Sequence, residues 1–145
     1  KAEDFARSHP GGAQGRKPLT HVGDVMRSGD AVPRVGPGTS FSDLMREMSA
    51  KGLGAAVVAD DGGRPIGIFT DGDLRRLIEK GADLRGVKAG EAMHASPRTI
   101  RQDALAAEAA ELMEEFRITS VIVVDDDGRL VGVVNSNDLM RAKVI

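Results

Sequence analysis

Thr70 and Asp73 stand three residues apart, directly behind the apolar run Gly67-Ile68-Phe69. A threonine followed three positions later by an acid is the pattern of a helix start. The hydroxyl takes the backbone N–H of the third residue, and the carboxylate reaches back to the backbone N–H of the threonine. The same residue types suit a small ligand. A helix N-terminus offers unpaired N–H groups and partial positive charge to an anion. A carboxylate held one turn into the helix is a strong acceptor for the two hydroxyls of a ribose. Thr70 can donate or accept beside it, and Gly67 on the preceding strand leaves room for a ligand to approach the backbone. The cap and the ligand site are compatible, and both readings stand open at this point.

The pattern is written twice. Gly63-Arg64-Pro65-Ile66-Gly67-Ile68-Phe69-Thr70-Asp71-Gly72-Asp73-Leu74-Arg75-Arg76 returns 65 residues later as Gly128-Arg129-Leu130-Val131-Gly132-Val133-Val134-Asn135-Ser136-Asn137-Asp138-Leu139-Met140-Arg141. Both glycines, the first arginine, the aspartate, the leucine and the last arginine are identical. The copies differ where Asn135 replaces Thr70. Asparagine still caps a helix and still hydrogen-bonds a ligand, so the second site is altered and not deleted. A repeat of this kind implies two similar halves about a pseudo-twofold axis, with clefts between them.

The elements that must position these residues follow from the periodicity. Phe41, Leu44, Met45 and Met48 recur at i, i+3, i+4 and i+7, one face of a helix that Ser40 and Asp43 start and that Gly52 and Gly54 end. Ala55–Ala59 reads as a buried strand, Asp60-Asp61-Gly62-Gly63 as a hairpin turn, and Ile66–Phe69 as the returning strand. Leu74, Leu77 and Ile78 mark a second helix. The second copy repeats the order: Pro97–Ile100 is a short strand, and Leu105, Ala109, Leu112, Met113 and Phe116 form the apolar face of a helix. Ser120–Val124 and Leu130–Val134 are its strands, around the turn Asp125-Asp126-Asp127-Gly128. Each unit is therefore β-α-β-β-α with a three-stranded sheet, entered by a short helical turn at His21–Arg27 or Ala89–Met93. A sheet of that size has one face to bury and needs a second copy to cover it. The fold class is α+β, with units at residues 19–84 and 87–145. Residues 1–18, rich in Gly, Pro and charge, read as an arm or linker.

Composition excludes several functions. Aromatics are four Phe with no Trp or Tyr, so there is no stacking platform for nucleic-acid bases, and 20 basic against 22 acidic residues leave no basic surface for a polyanion. Without cysteine there is no disulfide, thiolate metal site or thiol nucleophile. His9, His21 and His94 lack metal-ligand spacing, and the aspartates of the two turns lack the alternation of a calcium loop, so no metal site is expected. No run of about 20 apolar residues crosses a bilayer, and no signal peptide opens the chain. These features predict a cytoplasmic protein with no membrane partner. The first residue is Lys1, which predicts a piece of a longer chain.

The duplicated unit resembles a CBS-domain pair, or Bateman module, over residues 19–145. The Gly-hydrophobic-hydrophobic-Thr-x-x-Asp signature, the Asp-Asp-Gly-Gly hairpin and the spacing carry the resemblance. It implies tandem CBS domains facing each other through their sheets, with up to two clefts that bind adenosine nucleotides or related ligands and regulate an attached protein. By that resemblance Thr70 and Asp73 hold the ribose in one cleft, and Asn135 with Asp138 in the other. Val32–Val35 and Arg98–Ile100 flank the base, which brings in Val35, Arg98 and Thr99. Gly54-Ala55-Ala56 and Thr119-Ser120-Val121 form opposing walls. His94 and Arg98 fall near the second cleft as phosphate partners, and Arg117, ahead of a cleft wall, is another. For these cations the alternative is plain solvation.

The arm carries its own resemblance. Phe5-Ala6-Arg7-Ser8-His9-Pro10-Gly11-Gly12-Ala13-Gln14-Gly15-Arg16 is similar to the closing segment of the sugar isomerase (SIS) domain in D-arabinose 5-phosphate isomerases, enzymes of Kdo and lipopolysaccharide synthesis that carry a CBS pair after the isomerase domain. That resemblance implies that His9 is an active-site, proton-transfer residue of the full-length enzyme; in this segment alone it is a solvated histidine. The expected function is a regulatory module needing no cofactor. Its ligand would be CMP-Kdo, as a downstream nucleotide sugar, or else AMP, ADP or ATP. Expected partners are its own isomerase domain and a second CBS pair, as a homodimer within a homo-oligomer. The competing expectation is a structural, oligomer-setting module without a ligand. A third, that this stretch is itself an enzyme, has no nucleophile–base pair or metal motif behind it.

Overall fold

Ser40 and Thr70 start their helices as the pattern requires. The Ser40 hydroxyl accepts the Asp43 N–H at 3.1 Å, and that of Thr70 accepts the Asp73 N–H at 3.2 Å. A computed structural model of the chain describes residues 19–145, so His9 and the rest of the arm lie outside the described residues. Six helices are described: α1 (Val22–Val25), α2 (Phe41–Lys51), α3 (Asp71–Glu79), α4 (Ala89–Ala92), α5 (Ala106–Phe116) and α6 (Ser136–Arg141). Seven strands accompany them: β1 (Arg34–Val35), β2 (Ala55–Ala59), β3 (Pro65–Thr70), β4 (His94–Ala95), β5 (Thr99–Arg101), β6 (Ser120–Val124) and β7 (Leu130–Asn135). The result is the expected α+β duplication.

The two sheets have the order β1-β2-β3-β4 and β5-β6-β7. In each the first strand runs parallel to the middle one, and the hairpin is antiparallel, with Val57 opposite Ile68 and Ile122 opposite Val133. The hairpin turns are built by Asp60 and Asp125. Asp60 Oδ1 accepts the Gly62 and Arg64 N–H groups, and Asp125 Oδ1 those of Asp127 and Arg129. These aspartates organise turns, as expected. The tips of the two turns meet: Leu130 N–H donates to the Gly63 carbonyl at 2.8 Å, and Arg129 Nε to the Gly62 carbonyl at 3.1 Å.

Three apolar clusters hold the halves. Phe41, Leu44, Met48, Val58 and Phe69 fill the first, with Phe41 edge-on to Phe69 at 5.6 Å. Val121, Val123, Val134, Met113 and Leu139 fill the second. Val32, Leu53, Val57, Ile122, Val124 and Val133 form the layer between the sheets. This layer buries the open face that each three-stranded unit presents, which removes apolar surface from water at about 25 cal/mol per Å².

The entry turns do something the repeat did not reveal: each packs on the other unit. Val22 of α1 is fully buried in the second unit's cluster, and Ala89 of α4 is fully buried in the first unit's. Behind α1, Arg27 exchanges backbone hydrogen bonds with Val133 at 2.8 and 3.0 Å. Behind α4, β4 pairs with β3, Ile68 opposite His94, so the first sheet has four strands where three were expected. The glycines of the repeated motif make room for this exchange. A Cβ on Gly67 would lie 2.9 Å from Met93 Cβ, and one on Gly132 would lie 2.6 Å from the Arg27 carbonyl oxygen. Gly67 therefore admits the Met93 segment of the same chain and not a ligand, which corrects the reading of that glycine.

Candidate ligand-binding cleft

The helix cap at Thr70 fixes the chemistry of the first cleft. Asp73 Oδ2 accepts both the N–H and the hydroxyl of Thr70 at 3.0 Å, and Oδ1 accepts from Arg76 at 2.7 Å. A carboxylate has about four acceptor positions, so three are used and one remains on Oδ1. Burial pushes the Asp73 carboxyl up. The Arg76 and Thr70 hydrogen bonds and the nearby His94 outweigh that and hold it below the usual carboxylate range. Asp73 therefore stands ionised at neutral pH, with open acceptor capacity. The capping role and the outward-facing carboxylate coexist.

Around it lies a cavity of about 590 Å³, within the range of small-ligand sites, roughly 300–1,000 Å³. Thr70, Asp73 and Arg76 at the start of α3 line one side. His94, Ala95, Ser96, Pro97 and Arg98 line another, and Phe116, Arg117, Ile118, Thr119 and Ser120 close it. Leu53, Gly54 and Ile68 contribute the apolar floor. Four basic residues (Arg76, His94, Arg98 and Arg117) thus share a cavity with only two acids, Asp71 and Asp73. The Arg98 guanidinium lies over the Phe116 ring, 3.6 Å from its centroid. That contact holds the cation in place, with a cation–π attraction of about 0.5–1 kcal/mol at an exposed site.

Two lining residues adopt a backbone conformation that L-residues avoid. Ser96 and Arg117 both have φ of 55°. Arg117 is the C-cap of α5, at the position that Gly52 fills with φ of 67° at the end of α2. Glycine costs nothing sterically there; a residue with a Cβ costs on the order of 1–2 kcal/mol. Such strain persists at sites where a side chain is needed. The signal was available in the repeat, as an arginine standing where its partner copy has a helix-ending glycine.

The expected site residues divide as follows. Thr70, Asp73, Arg98, Arg117, Thr119 and Ser120 come together in this one cleft, and so does His94. From the sequence alone, His94 and Arg98 are expected near the second cleft. The exchange of entry turns carries them across to Asp73, because β4 pairs with β3. Val35, Ala55 and Thr99 do not line the cavity. Val35 packs on the first core, Ala55 is buried within β2, and Thr99 is exposed on β5. Phe116, expected as a core residue of α5, is half-buried under Arg98. Arg76, 63% exposed on α3, reaches Asp73. The sequence reasoning missed Gly72, Ser96 and Pro97 as lining residues.

Asn135 and Asp138 form the same cap at α6: Asn135 Oδ1 accepts the Asp138 N–H and Asp138 Oδ2 accepts the Asn135 N–H, both at 3.0 Å. Their surroundings are different. Both residues are buried, with 7% and 6% exposure. Arg27, the counterpart of His94, places Nε 3.4 Å from each Asp138 carboxylate oxygen. Arg141 also donates to Oδ1, as Arg76 does in the first copy. Asp138 thus accepts three hydrogen bonds, as Asp73 does, and differs from it in being covered by Arg27.

A duplicated β-α-β-β-α unit with facing sheets, reciprocal entry turns and a capped aspartate on the cleft defines a tandem-domain module with a cleft between its halves. The CBS domain family matches residues 22–80 and 89–145, and the chain belongs to that family. It is 50% identical to arabinose 5-phosphate isomerase KdsD of Pseudomonas aeruginosa over 144 residues, 99% of this chain and 44% of that protein. Identity to the Escherichia coli K12 enzyme of the same name is 46%, with the same coverage. The chain therefore spans less than half the length of these curated relatives. Among solved structures, CBSX2 of Arabidopsis thaliana in complex with AMP superimposes with a TM-score of 0.73 at 30% identity, covering 86% of this chain and 96% of that one.

Proposed function

We propose that the chain is the regulatory module of an arabinose 5-phosphate isomerase and binds a nucleotide or sugar nucleotide between Asp73 and Arg117. One observation carries the proposal. An ionised carboxylate with a free acceptor position faces, within one cavity, Arg76, Arg98 and Arg117 and the imidazole of His94. Paired hydroxyls need the former and an anionic group the latter. A nucleoside monophosphate satisfies both, and AMP in CBSX2 supports an adenine nucleotide. CMP-Kdo adds a carboxylate to the phosphate, and two anionic groups make fuller use of three arginines. The similarity to the isomerase KdsD makes it the pathway-linked candidate. The module then acts in the cytoplasm, within a homo-oligomer of the isomerase, and ligand binding adjusts the attached isomerase domain.

Calorimetry of the chain against AMP, ATP, CMP and CMP-Kdo tests this proposal. One of them is expected to bind, and at a concentration 100 times its Kd to add about 2.7 kcal/mol of stability in a thermal-shift measurement. Absence of heat and of any shift across the panel would leave a purely structural module.

A further inference from the structure

We propose that Arg27 is a built-in occupant of the second cleft. Its guanidinium covers the Asp138 carboxylate to which a ligand's hydroxyls would bind, so the module binds one nucleotide per chain. The inference rests on the ligand reading of the first cleft in one respect, the choice of probe.

The two caps share the same frame. Each has a side-chain oxygen on the N–H of an aspartate three residues on, and an arginine three residues beyond the aspartate. What differs is the residue that the exchanged entry turn delivers. At the first cap it is His94, exposed and lining an open cavity, which leaves the Asp73 side chain 17% accessible. At the second it is Arg27, from the segment bridged to Val133, which leaves the Asp138 side chain 5% accessible. A guanidinium has five N–H donors in a fixed plane. Nε of Arg27 lies 3.4 Å from both Asp138 oxygens and donates its one N–H to Oδ2. The Arg27 side chain is itself three-quarters buried. Displacing it would leave a cation without its carboxylate in a partly dry site. The copies also differ in length here. Met26 to Arg34 is eight positions and Met93 to Thr99 is six. The longer link forms the turn Gly29–Ala31 behind Arg27.

Arg27→Ala empties the cleft, and Arg27→His installs the residue type found at the first cap. Both keep Arg141 on Asp138. Equilibrium dialysis and calorimetry with AMP and with CMP, on chains checked for folding by circular dichroism, count bound ligand. The wild type is expected to bind one molecule per chain and to lose it on Asp73→Ala. Arg27→Ala and Arg27→His are expected to bind a second, retained when Asp73→Ala is added. Methylguanidinium, the missing side-chain fragment, should compete for that second molecule in Arg27→Ala and leave the first untouched. A wild type that binds no probe while Arg27→Ala binds one refutes the ligand reading of the first cleft and upholds the role of Arg27. Two molecules on the wild type, or no added molecule on either folded variant, overturns the role of Arg27.

Discussion

Arg117 and Asp73 show how single side chains divide labour between stability and binding. Arg117 holds a left-handed conformation that its counterpart Gly52 adopts freely. Arg117→Gly is therefore expected to stabilise the chain by about 1 kcal/mol in a denaturant titration, and to weaken an anionic ligand in the same preparation. Loss of both stability and affinity would refute the strain. Asp73 supplies an acceptor that the fold itself does not exhaust. Asp73→Ala is expected to weaken a ribose-containing ligand at least tenfold, or about 1.4 kcal/mol; unchanged affinity by calorimetry would remove Asp73 from the site. The pH dependence has a definite sign. The Asp73 carboxyl sits below its ordinary value, so its contribution to stability is present above that ordinary value, about 3.9. It is lost as pH falls from there through the lowered value. Asp73→Asn, which keeps a capping side chain, should flatten this acid loss in thermal melts.

At the scale of elements, the exchange of entry turns decides which residues share a cleft. α1 and the Arg27 bridge sit on β7, while α4 and β4 sit on β3. Gly132 admits Met26 and Arg27, and a methyl group there meets the Arg27 backbone at 2.6 Å. Backbone cannot move aside as a flexible side chain can. Gly132→Ala is expected to cost about 1–3 kcal/mol of stability. At Gly67 the obstruction is the Met93 side chain, so Gly67→Ala combined with Met93→Ala should recover part of the loss of Gly67→Ala alone. Equal losses in single and double variants, measured by urea unfolding, would show that Met93 is not the obstacle. The hairpins and caps were legible from local pattern: Ser40, Thr70 and Asn135 cap as their spacing predicts. β4 was not, because the two residues His94-Ala95 carry no strand signal of their own and pair only because β3 presents a free edge.

For the whole molecule, the halves are interlaced and not merely stacked. Val22 is needed by the core of the second half and Ala89 by that of the first. The layer between the sheets takes residues from both. Residues 19–84 alone are expected to lack cooperative unfolding by circular dichroism, and to gain it when mixed with residues 85–145. A cooperative transition in either piece alone would contradict the interlacing. The duplication, the α+β class, the pairing of units and the helix caps all followed from the amino-acid sequence, because each depends on neighbours within a few residues or on a repeat that can be read by eye. So did part of the first cleft: Thr70, Asp73, Arg117, Thr119 and Ser120. Only the tertiary structure decided that His94 and Arg98 face Asp73 and that Arg27 covers Asp138, 111 residues away. Those contacts depend on which sheet edge receives each entry turn. The two entry turns have similar local sequences, so that choice is made by the packing of the assembled halves.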